Sequence, residues 1–335
     1  MQTLSQSQYE AALHAADDAD ASSEERAEML MEIAMGMQAR PKSPQQLVDA
    51  VGLYDRALGI APEQATILKA RITARLGTAL QAIPDEGPAH LERALTCFQS
   101  AIEVLHGAGS PEEIAELELN QGLVLQSLTA MSRARITDAI GAYQRALRTF
   151  TRDCFPQEYA VLHNNLAIAY LSMSISDERG RMREALAVQS FEEVLKVINL
   201  IDHPSEYAMI NNNLGNALQS VTTGHALDND VRALAAYEEA LRVRNPRDTP
   251  LEYANTIANK ANVLRHLVVD PTRPHVDEGP KHPDPLGEAL ALMREAHALF
   301  DQFGDPHKAA LMREAATELE AEIAAESAQR RARLN

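Results

Sequence analysis

Apolar positions in this chain recur as one compact motif. An alanine is followed four positions later by a large side chain, and three positions after that by a small one. The motif reads Ala50/Tyr54/Ala57, Ala94/Phe98/Ala101, Ala139/Tyr143/Ala146, Ala187/Phe191/Val194, Ala233/Tyr237/Ala240 and Ala289/Met293/Ala296. Spacings of four and three place all three members on one face of a helix. Ahead of the last four sets stand Pro111, Pro156, Pro204 and Pro250, spaced 45, 48 and 46 residues apart. Each proline is followed within two residues by a glutamate and then by a second apolar run. Proline suits the first helical turn, where its missing N–H costs nothing, and a carboxylate there complements the helix dipole. The pattern predicts helix pairs repeated along the chain.

The ends fit the same scheme. Residues 22–40 and 44–60 read as an atypical first pair. Residues 306–331 read as a capping helix with Ala310, Leu311, Ala315, Leu319 and Ile323 as its apolar stripe. Between the two helices of a repeat, Ser174 to Met182 and Thr222 to Asp230 are expected to be widened loops. Residues 270–285 hold five of the 16 prolines and are expected to be a non-helical loop. The expected organisation is an N-terminal cap over 1–43, repeats over 44–303 and a C-terminal capping helix and tail over 304–335.

Leu214-Gly215-Asn216-Ala217-Leu218, followed by Ala233, Tyr237 and Ala240, resembles the tetratricopeptide (TPR) pattern. The stretch from Arg135 to Tyr170 is similar to the long-repeat variety common in bacterial signalling and scaffold proteins. The likeness covers roughly residues 44–303 and departs from the usual period of 34 residues. It implies an all-α fold, a right-handed α-solenoid of stacked antiparallel helix pairs with a C-terminal capping helix. It also implies a protein-binding function.

Composition narrows the function classes. With 31 basic and 48 acidic residues the formal charge is -17. Such a surface repels phosphate backbones, so nucleic acid is not an expected partner. Cys97 and Cys154 match no zinc or redox spacing and are expected to be reduced, partly buried thiols. No stretch approaches the ~20 apolar residues of a membrane span, and the amino terminus does not read as a signal peptide. A cytoplasmic protein without a membrane partner is the expectation.

No nucleophile elbow, zinc-protease pair or P-loop is present. Gly107-Ala-Gly109 precedes Ser110-Pro-Glu-Glu, whose carboxylates would repel a phosphate, so it reads as a turn and helix cap. His275 and His282, with Asp277 and Asp284, lack a rigid frame for a metal. The expectation is therefore no enzyme, no cofactor and no metal.

In stacked helix pairs the first helices line the concave face. Asn120, Asn165, Asn213 and Asn259 share one repeat position there. They can act as an amide ladder for an extended peptide, as in related solenoids, or bond within the repeats. Leu123, Val161, Asn164, Ile168, Met209, Asn212, Asn216, Asn255, Asn262 and Arg265 complete the expected groove. This lining is neutral and amide-rich. Positions that form the co-chaperone carboxylate clamp carry mostly Asn, Val, Met or Leu, so that clamp is not assembled. The expected role is a scaffold or adaptor holding a protein or peptide segment. Homo-oligomerisation, or sensing of a small ligand through a separate output protein, are the alternatives.

Overall fold

A computed structural model describes residue 13 and residues 21–84, 87–173, 178–221, 226–269 and 284–334. Among these lie thirteen helices and no strand. They fall into two compact units, residues 1–172 and 173–335. The first holds α1 (Ser23–Ala39), α2 (Pro44–Ile60), α3 (Thr66–Ala82), α4 (Ala89–Leu105), α5 (Pro111–Ala130), α6 (Ile136–Ala146) and α7 (Pro156–Leu171). The second holds α8 (Glu178–Leu195), α9 (Pro204–Ser220), α10 (Ala226–Leu241), α11 (Pro250–Val269), α12 (Pro285–Gln302) and α13 (Pro306–Leu334). Within each unit consecutive helices pack on one another, the arrangement of an α-solenoid.

Local chemistry sets the helix starts. Seven helices open on a proline, so the sequence marks more than half of the starts outright. Ser22 and Glu25 form a reciprocal capping box on α1. Ser110 accepts the Glu113 N–H and caps α5 directly after the Gly107–Gly109 turn. Two loops repeat another device: the Asn199 side-chain oxygen accepts the N–H groups of Ile201 and Asp202, and Asn245 does the same for Arg247 and Asp248. Each such turn delivers the chain to a helix-opening proline, Pro204 or Pro250.

The core is the recurrent apolar motif. All eighteen of its residues are at most 1% exposed. In three pairs the ring meets a glycine: Gly77 faces Phe98, Gly122 faces Tyr143 and Gly215 faces Tyr237. A Cβ at these glycines would lie 2.8, 2.3 and 2.5 Å from the ring, so only hydrogen fits. One turn beyond, a glutamine meets the phenol. Tyr54 donates to Gln38 at 2.9 Å and Tyr143 to Gln126 at 2.9 Å. Tyr237 donates to Asn216 at 2.7 Å and accepts from Gln219.

Gln81 stands four residues after Gly77, as Gln126 stands after Gly122, but its partner ring belongs to Phe98. Its Oε1 is buried without a hydrogen-bond partner. Phe98→Tyr is therefore expected to stabilise the first unit by about 1 kcal/mol, read as a higher urea midpoint. An unchanged or lower midpoint would mean that the hydroxyl does not reach Gln81.

The structure shifts several expected boundaries. α8 starts at Glu178 and α10 at Ala226, inside the stretches expected to be wide loops. Those residues are polar, yet glutamate, arginine, alanine and leucine are good helix formers, and no proline stops them. α11 continues to Val269, while Asp284 caps α12 through the Gly287 N–H and Pro285 opens it. The rest of the expected proline-rich loop, and with it His275, Asp277 and His282, lies outside the described residues. In α13 the buried stripe is Ala309, Ala316 and Leu319 with Met312 half-buried, whereas Ala310 and Leu311 are exposed. Spacings of three and four face the helix onto α12, where the expected stripe starts one residue out of step. Cys97 is buried and Cys154 exposed, both free. Burial pushes the Cys97 thiol above its usual range.

Candidate functional site

On the first unit α1, α3 and α5, all first helices of their pairs, border a groove of about 750 Å³. α1 supplies Met31, Glu32 and Met35, and α3 supplies Arg71, Ala74, Arg75 and Thr78. The start of α5 adds Ser110, Glu112, Glu113, Glu116, Leu117 and Leu119. Phe150, Phe155 and Glu158 close one end. The two rings meet edge to face with centroids 5.2 Å apart.

Two ion pairs cross from α3 to α5. Arg71 grips Glu113 through two hydrogen bonds, at 2.8 and 3.3 Å, which raise its pKa further. Arg75 meets Glu116 at 3.4 Å with both side chains about half exposed. The first fixes the spacing of neighbouring repeats; the second is looser and open to exchange.

Counting from the small residue that faces the ring relates this groove to the asparagine column. Asn120, Asn165, Asn213 and Asn259 each lie two residues before Gly122, Ala167, Gly215 and Ala261. Two before Gly77 is Arg75, and two before Ala34 is Glu32. The column continues toward the amino terminus as charged residues, and these are the ones in the groove. Sequence comparison anchored on prolines passes over α3, which opens on Thr66, and so misses Arg71 and Arg75. Alignment on Gly77 and Gly122, 45 residues apart, is the signal that finds them.

The expected site residues are placed as follows. Asn120 and Leu123 are half-buried on α5, just beyond Leu119 at the groove edge. On α7, Val161 and Ile168 are exposed, Asn165 is half-buried, and the Asn164 Oδ1 is buried with no partner. None of these six lines the groove. In the second unit Met209 is exposed and Asn213 and Asn262 are half-buried. Asn212 is buried and accepts from Asn259 at 3.5 Å, which links α9 to α11. Asn216 accepts from Tyr237, and Asn255 donates to Leu251 O in its own helix. Arg265 binds Glu318 and Glu322 of α13. In the second unit these polar groups largely bond within the protein. The groove of the first unit carries a charged lining.

No group of three or more metal-ligating side chains occurs among the described residues. No described helix is long and apolar enough to cross a membrane.

No protein-family model matches the sequence, and no curated protein matches it. Solved structures do. The apo form of RapI aligns over 94% of this chain and 80% of its own, at 12% identity and a TM-score of 0.55. A tetratricopeptide repeat protein from Parabacteroides merdae aligns over 86% of this chain and 98% of its own, at 15% identity and a TM-score of 0.38. The fold is tetratricopeptide-like. BtubC from P. vanneervenii also aligns, over 74% of this chain and 97% of its own, at 20% identity and a TM-score of 0.48. The tetratricopeptide-like frame explains the steric code: a small residue on the first helix, a ring on the second, and a repeat long enough to add a turn to each.

Proposed function

We propose that this protein is a non-enzymatic scaffold or adaptor that holds a segment of another protein in the groove of its first unit. The observation that carries this reading is the groove itself. It is open, built from three successive first helices, and lined by methionine and phenylalanine as well as charged side chains. Its polar groups are carboxylates and paired guanidinium groups on rigid helices, an arrangement that recognises a chain segment. Asn120, Leu123, Val161, Asn164, Asn165 and Ile168 would extend the contact along α5 and α7 if the segment is longer than the groove. Taken by itself, the second unit offers Met209, Asn212, Asn213, Asn216, Asn255, Asn259, Asn262 and Arg265 as a separate candidate surface. Recognition through backbone and apolar side chains, in place of a terminal carboxylate, follows from the missing clamp.

The test is affinity capture from native cytosol with wild type and with Glu116→Trp, which plugs the groove from an exposed position. A partner held by wild type and lost by a variant of unchanged melting temperature is the expected result. Equal capture by both would place the function elsewhere on the molecule.

A further inference from the structure

The lining of the groove specifies its occupant. Five glutamates and two arginines border it, and Glu113 and Glu116 already neutralise the two arginines. Glu32, Glu112 and Glu158 therefore leave an excess of three negative charges in a lining that also holds Met31, Met35, Phe150 and Phe155. A carboxylate-rich segment would be repelled, and a purely apolar one would leave the carboxylates to be desolvated without compensation.

Resting on the groove as the binding site, we infer that it takes a protein segment in which lysine or arginine flanks one or two large apolar side chains. Apolar side chains of the segment pack against Met31 and Met35 on α1 or against Phe155 at the closed end. Methionine adapts to different shapes, and Phe155, braced by the buried Phe150 ring, adds an aromatic contact. Cationic side chains on either side meet Glu32 and Glu112. An incoming arginine also competes with Arg75 for Glu116, because that pair is long at 3.4 Å and half exposed, whereas the bidentate Arg71–Glu113 pair stays. The helix-start carboxylates Glu112 and Glu158 stand in the first turns of α5 and α7, where the helix dipole favours negative charge and the backbone is fixed.

A random displayed-peptide library selected on the full chain tests this, followed by anisotropy titrations of the enriched peptides with fluorescent labels. Enriched sequences should carry at least two Lys or Arg around a Leu, Met, Phe or Tyr. They should bind at least tenfold more weakly in about 0.5 M salt than in about 0.05 M salt, and at least tenfold more weakly to Glu32→Lys/Glu112→Lys. The salt titration uses wild type alone, so it decides the question even if that variant folds poorly. Neutral or acidic enriched peptides that are lost on Glu116→Trp would overturn the charge rule and leave the groove as the site. Enriched peptides indifferent to Glu116→Trp, or no enrichment at all, would overturn both.

Discussion

Tyr143→Ala is expected to destabilise the first unit by about 3–5 kcal/mol, the usual cost of emptying a buried aromatic site. The ring is fully buried and seated against Gly122, which offers no Cβ to move into the gap. Its hydroxyl binds Gln126, so the truncation also removes a half-buried hydrogen bond. In a unit of this size the change should lower the melting temperature by on the order of 10 °C. Tyr143→Phe separates the two contributions. It keeps the packing and loses only the hydrogen bond, and about 1 kcal/mol is expected. A Tyr143→Ala loss below 1 kcal/mol, measured by urea unfolding, would show that the ring is not the wedge of its helix pair.

Alkaline pH should unfold the protein through three phenols. Burial raises the pKa of Tyr54, Tyr143 and Tyr237 far above the ordinary value near 10, because a phenolate among apolar side chains loses its hydration. In the unfolded chain they ionise near pH 10; in the folded chain they stay neutral. The stability they confer is complete below pH 10 and falls as the pH climbs beyond it. The slope is about 1.4 kcal/mol per pH unit for each tyrosine, or roughly 4 kcal/mol for the three by one unit above pH 10. Phenolate absorbance from these three should appear only together with loss of helical circular dichroism. Replacing all three by phenylalanine should flatten the fall. Phenolate absorbance amounting to all eight tyrosines of the chain, in a protein that is still fully helical, would contradict the burial.

The steric code of this fold is legible in sequence because each residue in it satisfies a strict volume limit. Glycine or alanine on one helix and a ring on the next leave few substitutes, and six recurrences make the pattern plain. The prolines are legible for a similar reason, since few positions tolerate them. The groove was harder to read. Arg71 and Glu113 are 42 residues apart and form one bidentate pair, yet surface charges vary from repeat to repeat and leave no period. The asparagines do repeat, but whether an amide faces outward depends on its neighbours. Asn216 turns to the Tyr237 hydroxyl and Asn212 to Asn259, choices set by side-chain reach and not by position in the repeat. α8 and α10 begin earlier than the polarity of their first turns suggests, because those residues are good helix formers and no proline interrupts them.

One regularity connects the second helices of adjacent pairs. Arg93, just before Ala94, bonds Asp55, just after Tyr54; Arg232, just before Ala233, bonds Glu192, just after Phe191. At α10 and α12 the same two positions hold Glu238 and Glu288, and Lys260 of α11, only 13% exposed, lies between them at 3.5 and 3.1 Å. Each exposed pair contributes little energy, but together they act as addresses. A copy of α11 and α12 grafted after α3 and α4 would bring its glutamate to Gln99 and leave Lys260 with one carboxylate fewer. The buried motif is thus common to the repeats, while the charged edges differ from one junction to the next.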